Sequence, residues 1–321
     1  MVLNYPECLN IMIDSHIHLQ EYIRPEDLSF YLEELGRQDV SGLLCVSYDI
    51  ESSQKAVELS RAYERIRETA NARTFEKDLA ADKKNLFEDL SVPQKNNFTA
   101  LHIAAGIHPQ YIADDPDSQI AELRTILNDN KNISAIGEIG LDYRKDMPDR
   151  ELQKAIFRKQ LEISLEFSLP VSVHSVSACE DTLKTLRAYP GVKGIMHGYA
   201  YSAEAAKEFI KLGFRLGVGT TLLKTGAKKL PETVKAVPQQ YLVTETDLPF
   251  SYTPTIASAP SLPMHVQSAG SNSLSHTKNT PALYNGNAFE CKYFTPGTLT
   301  ETAELHTKVL RELVNIIQLI H

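Results

Sequence analysis

Eight short apolar runs, each followed by a helical or polar stretch, limit the folds open to this chain more than any single motif does. The runs are 11–13, 40–46, 101–105, 133–136, 170–173, 192–196, 214–218 and 241–243. Runs that are apolar on both faces, rather than alternating, mark strands buried between two layers of helices. Between them, apolar residues recur three and four apart. Leu28, Tyr31, Leu32 and Leu35 do so within 25–36, with Gly36 as a stop, and Leu152, Ile156, Phe157, Leu161 and Leu165 do so within 151–167. Strands alternating with helices imply βα units, and eight such units imply an α/β fold of the closed (β/α)8 TIM-barrel type. An open doubly wound sheet is the rival, but no Gly-x-Gly-x-x-Gly follows the first run.

The remaining segments are read as additions to one barrel domain spanning 1–321. The stretch 61–97 is rich in Lys, Glu, Asp and Asn, carries only a thin apolar stripe, and reads as a charged helical insertion. The stretch 251–297 is rich in Ser, Thr, Pro and Asn and reads as a long irregular loop. A final amphipathic helix is expected over 300–320, with Leu305, Val309, Leu313, Ile316 and Ile320 on one side and Thr298-x-x-Glu301 as a capping box.

The net charge of −8 builds no general attraction to nucleic acid into the chain. Four scattered cysteines, with no Cys-x-x-Cys pair, suit free thiols in a reducing compartment. No apolar run approaches the roughly 20 residues of a membrane helix, and the first residues do not read as a signal peptide. A cytoplasmic or nuclear protein without a membrane partner is expected.

Polar residues at the C-terminal ends of barrel strands converge on one mouth. Here those ends carry His16 and His18, His108, Glu138, His174, His197 and Asp247. Asp14, His16 and His18 are two apart, so in an extended strand they share a face. All are metal-ligand types, and such groups are expensive inside a barrel unless they coordinate or pair. Without His108, the remaining six suit two divalent ions about 3.5–4 Å apart with a bridging hydroxide. Imidazoles favour borderline metals. Glu138 is the candidate bridge between two ions, and Asp247 can also accept a proton from the attacking water. Glu138 and Asp247 are therefore the candidate catalytic residues.

The order His16-Ile17-His18, Gly106-Ile107-His108-Pro109, Gly137-Glu138-Ile139-Gly140-Leu141-Asp142, Val173-His174-Ser175, His197 and Glu245-Thr246-Asp247-Leu248-Pro249 resembles the TatD family of metal-dependent deoxyribonucleases, within the amidohydrolase superfamily. The likeness runs from about residue 11 to residue 250. It implies a hydrolase that cuts phosphodiester bonds, commonly in DNA from a 3′ end. It also implies two divalent ions (zinc, magnesium or manganese). His16, His18, Glu138 and Asp247 would hold one of them, and Glu138, His174 and His197 the other. Departures from the family pattern are Val176, where an Arg is common, Gly198-Tyr199-Ala200-Tyr201 after the sixth run, and the absence of the usual Arg-Asn-Glu-Pro motif after Pro249.

Other residues keep two readings. His108 is a phosphate contact or shapes its loop. Tyr199 and Tyr201 stack on a base or pack the rim. Asp142 orients a ligand histidine or caps a helix, and Asp14 makes a structural hydrogen bond. Lys224, Lys228 and Lys229 touch phosphate or face solvent. His265, His276, His306 and His321 are given no chemistry. Two other functions stay open. One is a superfamily hydrolase of a small ester, lactone, amide or phosphate-containing substrate, which the acidic charge and Val176 favour. The other is a scaffold that has lost efficient catalysis.

Overall fold

The computed structural model describes residues 12–74, 98–224, 227–250 and 296–320. Eight parallel strands form one sheet in sequence order. They are β1 (Met12–Ile17), β2 (Val40–Val46), β3 (Ala100–Ala105), β4 (Ala135–Asp142), β5 (Val171–Val176), β6 (Gly194–Met196), β7 (Phe214–Val218) and β8 (Leu242–Thr244). The helices between them are α1 (Leu28–Arg37), α2 (Ile50–Thr74), α3 (Pro116–Asp129), α4 (Arg150–Phe167), α5 (Cys179–Arg187), α6 (Ala203–Lys211) and α7 (Lys229–Ala236), and α8 (Pro296–Ile320) follows β8. This is the (β/α)8 barrel expected from the alternation. Among the described residues no helix is long and apolar enough to cross a membrane.

The apolar residues separate into two bodies. A large cluster joins the outer faces of the strands to the helices, with Tyr31, Phe157, Phe209 and Phe214 fully buried. A second cluster of Ile13, Leu44, Val46, Ala104, Ala135, Ile195 and Val243 draws on six strands and fills the inside of the barrel. Ala104 and Ala135 are small where the strands crowd together.

Several boundaries differ from the sequence reading. β4 and β5 run on past their apolar stretches to Asp142 and Val176, so Glu138 and His174 lie within strands rather than beyond them. Polar residues facing the mouth end the apolar run but not the ladder. Residues 61–74 belong to α2, which begins at Ile50, so the charged stretch starts as the second half of a barrel helix. The expected insertion over 75–97 and the loop over 251–295 lie outside the described residues. The last helix starts at Pro296, so Thr298 stands inside it and is not its cap.

β1 departs from simple alternation. Its pairing with β2 slips between Asp14 and Ile17. His16 and His18 come together, whereas Asp14 takes different partners. Its carboxylate accepts from the backbone N–H and hydroxyl of Thr246 and lies 2.8 Å from Nε2 of His306 on α8. The structural hydrogen bonding expected of Asp14 is present. His306, given no role from the sequence, is fully buried and also meets the Tyr31 hydroxyl at 3.0 Å.

Candidate metal centre

Six strand ends bring the sequence-nominated residues into one cluster. Glu138 lies at its middle. One carboxylate oxygen, Oε2, is 3.4 Å from Nε2 of His16 and 4.0 Å from Nε2 of His18. The other, Oε1, is 2.8 Å from Nδ1 of His174, 3.8 Å from Nε2 of His197 and 4.0 Å from Nε2 of His108. Asp247 completes the set, with Oδ1 at 3.2 Å from Nε2 of His18 and 4.0 Å from Nε2 of His16. The trios His16, His18 and Glu138; His108, Glu138 and His174; and His16, His197 and Asp247 each present donor atoms within 4.8 Å of one another.

Hydrogen bonds at the far sides of the rings aim their lone pairs. Nδ1 of His18 lies 2.8 Å from the Val46 carbonyl, which can only accept, so Nδ1 carries the proton. Nε2 is then left with its lone pair, 3.3 Å from Nε2 of His16 and facing Asp247. Nδ1 of His16 is held by the Ser172 hydroxyl at 3.1 Å. This mixture of imidazole nitrogens and carboxylate oxygens fits divalent ions. The candidate ligands are oriented from behind, as metal-binding histidines usually are.

His108 faces the same cluster in the opposite sense. Its Nδ1 accepts from the backbone N–H of Gln110 at 3.1 Å, so the ring proton belongs on Nε2, which points toward Glu138. Burial, helped by His174, pulls this ring down to about 3, so it is a neutral hydrogen-bond donor at ordinary pH. A protonated Nε2 cannot ligate a metal but can donate to an oxygen of a bound substrate.

The electrostatics tie the cluster together. Burial alone would raise the Glu138 carboxyl, but His16, His197 and His108 around it outweigh burial and hold it well below the usual carboxylate range. Asp247 is likewise held low, burial being overcome by His18 and His197. Burial would lower His197, yet Glu245 and Glu138 beside it push it up to about 10. Asp247 also takes a positive φ of 55°, a conformation uncommon outside glycine.

Three neighbours hold these groups in place. Asp142 lies 3.1 Å from Nε2 of His174, which matches the orienting role, and is itself gripped by Arg144 Nε at 2.9 Å. Glu245 was passed over in the sequence although it stands two residues before Asp247. It is buried, accepts from the Gly198 N–H at 2.6 Å and sits 3.2 Å from Nδ1 of His197. A Cβ on Gly217 would fall 2.1 Å from Glu245 Oε2, so β7 has no side chain there because the carboxylate fills that space. Gly140 is equally constrained: its φ is +143°, and a Cβ would lie 1.9 Å from the His174 carbonyl oxygen.

Tyr199 is corrected by the structure. It is 3% exposed, packs edge-on to Phe209, and its hydroxyl donates to the Ser202 carbonyl at 2.7 Å. That leaves no face for a base, and the rim-packing reading is the right one. Tyr201 bonds Ser175 at 2.9 Å and the Ala178 N–H. Lys224, Lys228 and Lys229 are exposed.

Comparison with known proteins follows this geometry. The family model described as TatD related DNase matches residues 79–313. The uncharacterized metal-dependent hydrolase YabD of Bacillus subtilis is 29% identical over 242 residues, 75% of this chain and 81% of the relative. The deoxyribonuclease Tat-D of Schizosaccharomyces pombe is 29% identical over 167 residues, 48% of this chain and 53% of that protein. Among solved structures, the TatD homolog YJJV of Escherichia coli superposes with a TM-score of 0.60 at 20% identity, covering 97% of this chain and 96% of the other. A TatD family hydrolase of Entamoeba histolytica gives 0.58 at 19% identity, with 97% and 96% covered. The two superpositions support the barrel.

Proposed function

The chain belongs to the family of TatD-related DNases, and we propose on that premise that it is a divalent-metal-dependent hydrolase that cuts phosphodiester bonds of DNA from a 3′ end. One observation carries the reading: the two oxygens of Glu138 face two different groups of imidazoles, His16 and His18 on one side and His174, His197 and His108 on the other. A carboxylate so placed can be shared between two ions.

His16, His18, Glu138 and Asp247 would hold one ion, and Glu138, His174 and His197 a second. When bound, such ions supply a nucleophile at neutral pH and stabilise the charge that builds on the phosphoryl oxygens. The protein's own groups do the rest. Asp247, 29% exposed at the mouth, is placed to accept the proton of the attacking water. His108 donates from Nε2 to a non-bridging phosphate oxygen. Arg144, anchored on Asp142, adds positive charge near His174 that partly makes up for Val176.

The test combines elemental analysis with digestion of a single-stranded oligonucleotide in magnesium, manganese or zinc. About two equivalents of metal and degradation abolished by a chelator are expected. Bound metal with no cleavage of DNA under any of these conditions would overturn the substrate assignment in favour of a small ester or amide.

A further inference from the structure

Three histidines of the metal centre lean on a group that is itself held by another. His174 faces Asp142, which Arg144 grips. His197 faces Glu245, which the Gly198 N–H holds. His18 faces the Val46 carbonyl, and a second donor lies on that same oxygen. Nε2 of Gln20 is 3.0 Å from it, and Nδ1 of His18 is 2.8 Å from it. A carbonyl oxygen has two lone pairs and can take both donors.

The Gln20 amide has one orientation open to it. Its oxygen lies 2.8 Å from Sγ of Cys45, and its nitrogen faces the Val46 carbonyl. Both Gln20 and Cys45 are buried. Burial pushes the Cys45 thiol up to about 12, so the sulfur keeps its proton and donates. Turned over, the amide would point its oxygen at a carbonyl, which can only accept, and would lose that bond where water is excluded. The backbone N–H groups of Leu19 and Gln20 face the same sulfur, so this residue meets β2 through its main chain as well as its side chain.

Gln20 stands two residues after His18, within a single helical turn over Leu19–Glu21. The chain leaves β1, turns once and returns to the oxygen that His18 itself bonds. Both ends of the turn are thereby pinned to one point at the last residue of β2. For the His18 ring to swing away from the cluster, the turn would have to come off β2. Because the acceptor is main chain, no substitution of Val46 removes it. Gln20 is the side chain through which the sequence fixes its place.

We propose that Gln20 is a positioning residue for the metal centre: aligned by the Cys45 thiol, it fixes the Val46 carbonyl that keeps Nε2 of His18 turned toward the ion. The proposal rests on the metal-centre reading above.

The test is competitive chelator titration of zinc into the metal-free protein. His18→Gln identifies the equivalent of zinc that His18 holds, as the one it removes or loosens most. Gln20→Met is close to glutamine in size but has no amide. It should weaken that same equivalent by about 10- to 100-fold, as for other partners of metal-binding histidines, and leave the other unchanged. A general loosening of the barrel would weaken both. In zinc-loaded protein with isotope-labelled histidine, the His18 Nδ1 proton is assigned by its absence from His18→Gln. That proton should exchange with water more slowly in the wild type than in Gln20→Met. If Gln20→Met does not fold, Gln20→Glu takes its place. It keeps the acceptor for the thiol and loses the donor for Val46, and the same selective loss is expected. Wild-type affinity at that equivalent, or equal loss at both, overturns the role and leaves the metal centre standing. A wild-type protein that takes up no zinc overturns the metal centre and this role with it.

Discussion

The backbone N–H of Asp247 donates to the carbonyl of His16 at 2.8 Å, and one step further along the N–H of His18 donates to the carbonyl of Leu248 at the same distance. First and last strands of the barrel thus meet at the residues that face the metal centre. The spacing between the candidate ligands on β1 and after β8 is set by main-chain hydrogen bonds, not by flexible side chains. That rigidity suits a centre whose donors must hold their positions through turnover.

Replacing Glu138 is expected to be the most damaging single change. Glu138→Ala should lower kcat by at least about 1,000-fold, in the range of lost transition-state electrostatics, and reduce bound metal measured by elemental analysis. Circular dichroism should show the barrel intact. Wild-type turnover in this variant would remove Glu138 from the chemistry.

Glu245 is predicted to act through His197. Glu245→Gln keeps the size but removes the charge beside Nδ1. Metal affinity or kcat/KM should fall about 10- to 100-fold, as for other partners of metal-binding histidines. Competitive chelator titration reads the first quantity directly, and an unchanged affinity together with unchanged kinetics would refute the role. Gly217→Ala should reproduce part of this loss by pushing on the same carboxylate.

His306→Ala leaves the buried Asp14 carboxylate without one of its partners. A cost of about 2–4 kcal/mol in unfolding free energy is expected from denaturant titration. If stability changed by less than the error of that titration, the His306 contact would not be holding α8 to the barrel.

His102 gives a pH dependence away from the metal centre. Burial, helped by the charge of Arg67, lowers this ring from 6.5 to about 4. Between those values the ring is neutral in the fold but charged in the unfolded chain, so the unfolded chain binds the extra proton. Stability should therefore fall as pH drops from about 6.5 to 4, by on the order of 2–3 kcal/mol, and be indifferent to this residue above that window. His102→Gln should flatten that part of the curve measured in chelator; an unaltered slope would assign it to other groups.

The barrel and most of its mouth were legible because strand ends have a local signature: an apolar run that stops at a histidine or a carboxylate. The lengths of β4 and β5 were not, since the run ends where residues turn to the mouth while the ladder continues to Asp142 and Val176. Tyr199 kept two readings because an aromatic after a strand looks the same whether it faces solvent or, as here, Phe209. Glu245 could have been found: two carboxylates two apart at a strand end can serve one ligand directly and another from behind. His306 could not, because a polar residue in a long amphipathic helix carries no mark of what it meets across the fold.

That last contact has a consequence for how the protein comes into being. Asp14 and His306 lie 292 residues apart, so a chain growing on the ribosome presents all six candidate ligand positions before the histidine that meets Asp14. Until α8 emerges and docks, the Asp14 carboxylate that braces β1 against Thr246 lacks its histidine. Pairing of β1 with β8 and docking of α8 are thereby coupled through one carboxylate, which Thr246 and His306 grip from two sides.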